Sequence, residues 1–311
     1  MKKRFINEVH FQGYFYDHKL EEKVSGPTSK NPGTNYIAGV VYVATDEALL
    51  NVVPVYFRYV TATTSKGNSN ATYVALKKLI DDNKTVVAVG KDNAEKLRID
   101  SNIRLNEWYR QVTDEKPQSV ARAESGFVHI VNDIDPEENM RNKFKTDMLI
   151  TNVKLVEADE ERNIDTHVVV RGAIFEDYSK TILPVQFVVR NQKGMDYFLN
   201  LEPTGKEPVF TCVWGRQLSQ TVRTETKTES AFGEPEVVVS QTTTREFVIT
   251  GASSEPYVFD DEETLTKEEV SKMMSDRELY LATLKKNQEE YQKNRNGGST
   301  VSSATSGDYD F

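Results

Sequence analysis

The chain has a single cysteine, Cys212. One cysteine excludes an internal disulfide and any multi-cysteine metal site. Histidine is nearly as scarce: His10, His18, His129 and His167 are scattered, and no pair has the close spacing that histidine zinc motifs use. Each reads as an ordinary buried or surface histidine. Long apolar runs are missing as well. None approaches the ~18 residues of a membrane span, and no apolar stretch follows the basic start "MKKRFINEVHFQG" as it would in a secretory signal. The expectation is a cytoplasmic protein with no membrane partner. Phosphate loops, dinucleotide fingerprints, metal-protease pairs and nucleophile elbows are also absent. "TGKEP" at Thr204 to Pro208 reads as a turn. "DDEE" at Asp260 to Glu263 reads as a solvated charge run, because consecutive side chains diverge. The chain is therefore not expected to be an enzyme, and no cofactor or metal is implied.

Positive charge is in deficit, with a formal net charge of −9. The deficit is unevenly spread. Residues 255–311 carry 13 acidic and 7 basic side chains, which is −6, so residues 1–254 carry only −3. A near-neutral body can hold a basic groove, since binding follows local potential rather than net charge. Composition alone does not point to nucleic acid.

The length of 311 residues suggests about two domains. Up to about residue 254, short segments rich in Val, Ile, Phe, Tyr and Thr recur between Gly, Pro, Asn and Asp clusters. They include "NYIAGVVYVAT", "NVVPVYFRYVTAT", "KTVVAVG", "GFVHIVN", "THVVVRGAIF", "TILPVQFVVRN", "PVFTCVWGRQL" and "EPEVVVSQTTTREFVITG". Many short strands predict a mainly β fold of the sandwich or barrel kind. Within it, "ATYVALKKLIDD" is the best helix candidate, with Tyr73, Leu76, Lys77, Leu79 and Ile80 on a partial stripe. After Phe259 strong helix formers take over without internal Gly or Pro. Thr264 or Thr266 is placed to cap this C-terminal helix, and Gly297 and Gly298 to stop it. Its stripe of Val270, Met273, Met274, Leu279, Leu281 and Leu284 reads as a face docked on the protein's own body. From Asn296 the chain is a small, polar linker that ends in "GDYDF".

The two halves of the β-rich part resemble each other in order as well as type. "NVVPVYFRYV" matches "TILPVQFVVR", with Pro54 over Pro184 and Phe57 over Phe187. "EWYRQV" matches "VWGRQL", which sets Trp108, Arg110 and Gln111 over Trp214, Arg216 and Gln217. "SGFVHIVN" matches "TREFVITG", with Phe127 over Phe247. A tandem duplication follows.

The second copy carries a further likeness. "LPVQFVVRN", a loop and then "PVFTCVWGRQLSQTV" resemble the core of the single-stranded DNA-binding protein family, with Gln217 inserted between the basic residue and the leucine of the family pattern. That family also ends in a Gly-rich tail with an acidic tip and terminal Phe, which "GDYDF" resembles, although the usual proline is missing and the acids are fewer. Some phage single-stranded DNA-binding proteins end in the same way. The usual family member has one such domain per chain; taken with the repeat, the resemblance implies two tandem oligonucleotide-binding Greek-key (OB-fold) barrels here, in residues 1–135 and 143–255. A helical segment over 264–295 and a disordered tail over 296–311 follow them. It implies a protein, phage- or mobile-element-encoded, that covers single-stranded DNA in a bacterial host during replication, recombination or repair. The tip, Asp308, Tyr309, Asp310 and Phe311, is then expected to dock replication or recombination proteins.

Single-strand binding needs cations that track phosphates and flat side chains that stack on bases. Strand alternation puts Val53, Val55, Phe57 and Tyr59 on one face, the natural interior, and Tyr56 and Arg58 on the other. In the second copy Val185, Phe187 and Val189 face inward, while Gln186, Val188 and Arg190 face a ligand. Trp108 and Trp214 read two ways, as core or as stacking platforms. A strand face shared with Arg110 and Arg216 favours the open groove. The candidate single-stranded DNA site is thus Tyr56, Arg58, Trp108, Arg110, Arg190, Trp214 and Arg216, with Lys66, Lys193, Arg171, Arg223 and Arg245 as further groove cations. A second reading stays open here: a structural or adaptor protein, for example in a phage particle, that uses the same strands for protein contacts.

Overall fold

A computed structural model describes residues 5–27, 29–111, 113–160, 164–176, 181–228, 232, 236–259 and 264–297. The C-terminal tip, Asp308 to Phe311, lies outside them. The fold is mainly β. In the first half the strands are β1 (Asn7–His18), β2 (Glu21–Val24), β3 (Asn35–Ala44), β4 (Val52–Thr61), β5 (Lys96–Trp108) and β6 (Gln118–Val131). In the second they are β7 (Asn142–Val156), β8 (His167–Phe175), β9 (Ile182–Val189), β10 (Val209–Thr228) and β11 (Glu236–Ala252). The helices are α1 (Ala71–Asp82), α2 (Val86–Val89), α3 (Gln192–Leu199) and α4 (Lys267–Gly297).

The two halves pair their strands in the same order. β1 pairs antiparallel with β3 and β5, β3 with β4 and β5 with β6, while β4 runs parallel to β6. The pairings therefore return to β1. Likewise β7 pairs with β8 and β10, β8 with β9 and β10 with β11, while β9 runs parallel to β11. The two cycles share one hydrogen-bonded sheet through β1 and β7, from Asn7↔Thr146 to Phe11↔Asn142.

Period-two patterning drives these strands, since alternate side chains point to opposite faces. Val9, Phe11 and Phe15 of β1, Leu97, Ile99 and Ile103 of β5, and Val185, Phe187 and Val189 of β9 all enter one core. Within the second half, the ring of Phe144 on β7 lies 5.2 Å from Phe187 and 5.5 Å from Phe247. Each such burial contributes roughly 1.5–3 kcal/mol, and the aromatic contacts add about 0.5–1.5 kcal/mol each.

Where each first strand leaves one partner for another, an asparagine completes the ladder. Asn7 accepts from the Ile103 N–H at 2.9 Å and donates to the Ile103 and Phe175 carbonyls at 3.0 and 3.1 Å. Asn142 does the same on β10, accepting from the Gln217 N–H at 2.9 Å and donating to its carbonyl at 2.7 Å. Both asparagines are buried. Each lies two residues before the last regular pair, Val9↔Ser101 in one half and Phe144↔Gly215 in the other.

This register revises several expectations. Pro54 and Pro184 do fall on matching strands, each as the third residue. The tryptophans fall on matching strands, β5 and β10, but at different heights. Trp214 sits opposite Gly251, beside the β11 bulge, where β5 has Asp100, whereas Trp108 is the last residue of β5, opposite Gln118. Phe127 lies at the β6 bulge and is 65 % exposed, while Phe247 is core. "KTVVAVG" is not a strand: Thr85 caps one helical turn by accepting from the Ala88 N–H, and Gly90 at φ 80° ends it. The loop expected after β9 contains α3, capped by Asn191. Tyr59 is exposed rather than interior, and Val188 is buried rather than offered to a ligand.

α4 begins with a capping box: Thr266 accepts from the Glu269 N–H, and Glu269 accepts from the Thr266 N–H, both at 3.1 Å. Leu265, Val270 and Met273 dock on Leu149, Phe175, Ile182 and Phe210. Arg277 then grips Glu107 of β5 with both guanidinium nitrogens. The apolar stripe is thus only partly docked, for Met274 and Leu279 face solvent.

Candidate nucleic-acid interface

On β3, Ile37, Val41 and Val43 enter the core, which leaves Tyr36, Ala38, Val40 and Tyr42 on the outer face. β4 runs beside it with Val40↔Tyr56 and Tyr42↔Pro54 in register, so Tyr56 and Arg58 share that face. One residue lets the backbone do this. Gly39 has φ 138°, and a Cβ there would sit 1.9 Å from the Lys19 carbonyl oxygen. Only glycine fits.

These residues form a cleft of about 540 Å³. Its aromatic lining is Tyr36, Tyr42, Tyr56 and the buried Phe57, and its cations are Lys19, Lys23, Arg58, Arg122 and Arg245. No carboxylate is among the lining residues. Tyr36 packs on Tyr59 with ring centroids 4.4 Å apart. The Arg122 guanidinium lies over the Tyr56 ring at 4.1 Å. Glu124, whose side chain is only 4 % exposed, holds this stack from behind. It accepts from Arg122 Nε at 2.9 Å and pairs with Arg58 Nε at 2.7 Å. Two arginines sharing one buried carboxylate leave a single net positive charge at this end. Burial raises the Tyr42 pKa, with Tyr56 nearby adding to the rise and Arg245 opposing it. Arg245 belongs to β11, so the second half contributes a cation to a groove built by the first.

The other candidates lie elsewhere. Trp214, 40 % exposed, and Arg216 line a separate cleft of about 960 Å³ over the β1–β7 junction. That cleft has Lys143 and Lys145 on one side but Glu8 and Asp100 on the other. Trp108 is partly buried, and Arg110 follows β5 as an exposed residue. Arg190 is tied to Glu246 at 2.6 Å. Lys66 is exposed, Lys193 lines a small pocket beside α3, and Arg171 donates to Gln186 at 3.1 Å. The side chain of Arg223, like the tip, falls outside the described residues. Of the seven residues first singled out, the groove brings together Tyr56 and Arg58, and it adds Arg245 from the further cations. It also contains Lys19, Lys23, Tyr36, Tyr42 and Arg122, which went unread. Alternation in "NYIAGVVYVA" was signal enough for the two tyrosines.

Among the described residues, no cluster of three or more His, Cys, Asp or Glu is placed to hold a metal ion, and no helix is long and apolar enough to cross a membrane.

The YorF family model matches residues 6–288. No curated protein matches the chain. Among solved structures, the wild-type single-stranded DNA binding protein from Thermus aquaticus is 10 % identical, with a TM-score of 0.44 over 80 % of this chain and 93 % of that one.

Proposed function

The chain belongs to the YorF family, and we propose that it is a non-catalytic single-stranded DNA-binding protein that covers exposed strands during replication, recombination or repair. The observation that carries this reading is the carboxylate-free groove, with tyrosines at stacking positions among five cations. Single-strand binders combine these two features. Each cycle of five strands reads as an oligonucleotide-binding Greek-key barrel, one in residues 1–135 and one in 143–255. Its third and fifth strands are parallel, as β4 and β6 or β9 and β11 are, with a helix after the third. Such barrels bind oligonucleotides on the face of strands two and three, and the groove lies on that face, on β3 and β4. Tyr36, Tyr42 and the Arg122–Tyr56 stack take bases. Lys19, Lys23, Arg58 and Arg245 take phosphates.

Asp308, Tyr309, Asp310 and Phe311 form a docking tip for replication or recombination proteins in the cytoplasm of a bacterial host, with the gene carried by a phage or mobile element. Phe311 supplies burial, and the acids steer it to a basic rim.

The test is anisotropy titration with labelled oligo-dT at two salt concentrations. Binding should weaken steeply with salt. Tyr42→Ala should weaken binding about 5- to 150-fold with the salt slope kept, because stacking releases few counterions. Arg245→Ala should lower the slope by about 0.7. A wild-type chain that ignores oligo-dT at low salt refutes the function.

A further inference from the structure

The second cycle has its own strands two and three, β8 and β9, and their outer face can be compared position by position with the groove. The ladders align on the two prolines: Tyr42↔Pro54 in one half, Ala173↔Pro184 in the other. Tyr42 then corresponds to Ala173, Tyr56 to Gln186 and Val40 to Arg171. No tyrosine occupies any of these positions in the second half.

That face is also occupied. Ala173, Phe175 and Ile182 point away from the main core, yet all are buried, in a cluster with Leu149 and Phe210. The chain's own ends cover them. Phe5 stacks on Phe175 at 4.2 Å, Tyr257 lies 4.8 Å from Phe210, and Leu265 and Met273 of the C-terminal segment close the cluster. What stays open is Pro184 with Arg171 and Gln186, and the last two bond each other at 3.1 Å.

We infer that only the first half takes single-stranded DNA, and that the matching face of the second half is a docking surface for Tyr257, Phe259, Leu265, Val270 and Met273 of the same chain. This deepens the proposed function and rests on it. The second half then serves the first, through Arg245, which lines the groove, and Glu246 and Phe247, which line an adjoining pocket with Tyr56 and Arg122. The length occluded per chain is that of one site, within the ~4–16 nucleotides of a single oligonucleotide-binding fold, rather than of two in series.

The experiment compares full-length variants on oligo-dT. Arg171→Glu combined with Gln186→Glu places two acids on the second face and should leave affinity within about twofold of wild type. Arg245→Glu, at an exposed position, should weaken it at least tenfold; Arg122→Glu provides an independent check of the same groove. Photocrosslinking of the wild-type complex should label β3 and β4 peptides and leave β8 and β9 unlabelled. Equal losses from both faces, or crosslinks on β8 or β9, overturn the one-face inference while the function stands. A wild-type chain that binds no oligo-dT overturns both.

Discussion

Replacing Asn142 with alanine should cost about 2–4 kcal/mol of stability. Its side chain stands where β7 has left β10, and it supplies the partners that a strand backbone would. The Gln217 N–H bonds to Asn142 Oδ1 at 2.9 Å, and alanine leaves that buried donor unsatisfied, at roughly 1–3 kcal/mol. The Gln217 carbonyl loses its 2.7 Å donor but keeps a second one, Asn51 Nδ2 at 3.1 Å, so this loss is the smaller. Asn51→Ala strips the Ser219 N–H of its 2.7 Å acceptor. Asn51 is only partly buried, so water can replace the side chain and the cost should be about 1 kcal/mol. Because both asparagines serve the Gln217 carbonyl, the double variant should lose more than the two single losses added, by at least ~0.5 kcal/mol. Urea unfolding measures all four corners of the cycle, with an unchanged m-value as the check that the denatured state is the same. An Asn142→Ala cost below that of Asn51→Ala would refute the ladder-completion argument, as would strict additivity.

Three further outcomes are expected. Arg277→Met strands the Glu107 carboxylate, whose side chain is 3 % exposed, and should cost about 3–5 kcal/mol or release α4, seen as accelerated hydrogen exchange along the helix. Glu47 is held at about 2 by hydrogen bonds from Lys91, Arg141 and Tyr14, below its ordinary 4.5. A depressed carboxylate stabilises the fold above its unfolded value, and that stability is lost as pH falls through about 2. Glu47→Gln should therefore flatten the stability profile between about pH 4.5 and 2 in acid titrations followed by circular dichroism. Cys212 is buried and its thiol is pushed up to about 11, mainly by burial. Alkylation at pH 8 should be negligible in the native chain and rapid in urea; fast native labelling would mean that β10 opens locally.

The sequence was most legible where β-branched residues run together. β3, β4, β8 and β9 were visible as such runs, and a partial stripe marked α1, whose ends Asn70 and Asn83 cap. β1, β5 and β7 went unread because charges interrupt them. "KLRIDSNIRLNEW" looks polar, yet Leu97, Ile99 and Ile103 alternate inward while Lys96, Arg98 and Asp100 face out. Short apolar runs erred in the other direction: Val86 to Val89 make a helical turn because Thr85 and Gly90 bound them. The groove was half legible. Alternation located Tyr56 and Arg58, but Arg122 and Arg245 come from strands distant in sequence, and only the fold brings them to β3.

The strongest mark of the repeat is asparagine, not tryptophan. Asn7 and Asn142 bond backbone groups whose positions the strand exchange dictates, and few other side chains offer a donor and an acceptor side by side. Positions facing outward carry no such requirement. Aligned on the asparagines, Glu8 corresponds to Lys143, His10 to Lys145, and Asp100 to Trp214. A match built on an outward residue can therefore slide along the strand unnoticed, and the W-x-R-Q match does: Trp108 lies eight residues beyond Asp100, the position that corresponds to Trp214. The same freedom lets the two halves differ in use. Backbone geometry holds both cycles to one pairing order, while the outer face of β3 and β4 displays tyrosines and cations and that of β8 and β9 receives the chain's own C-terminal segment.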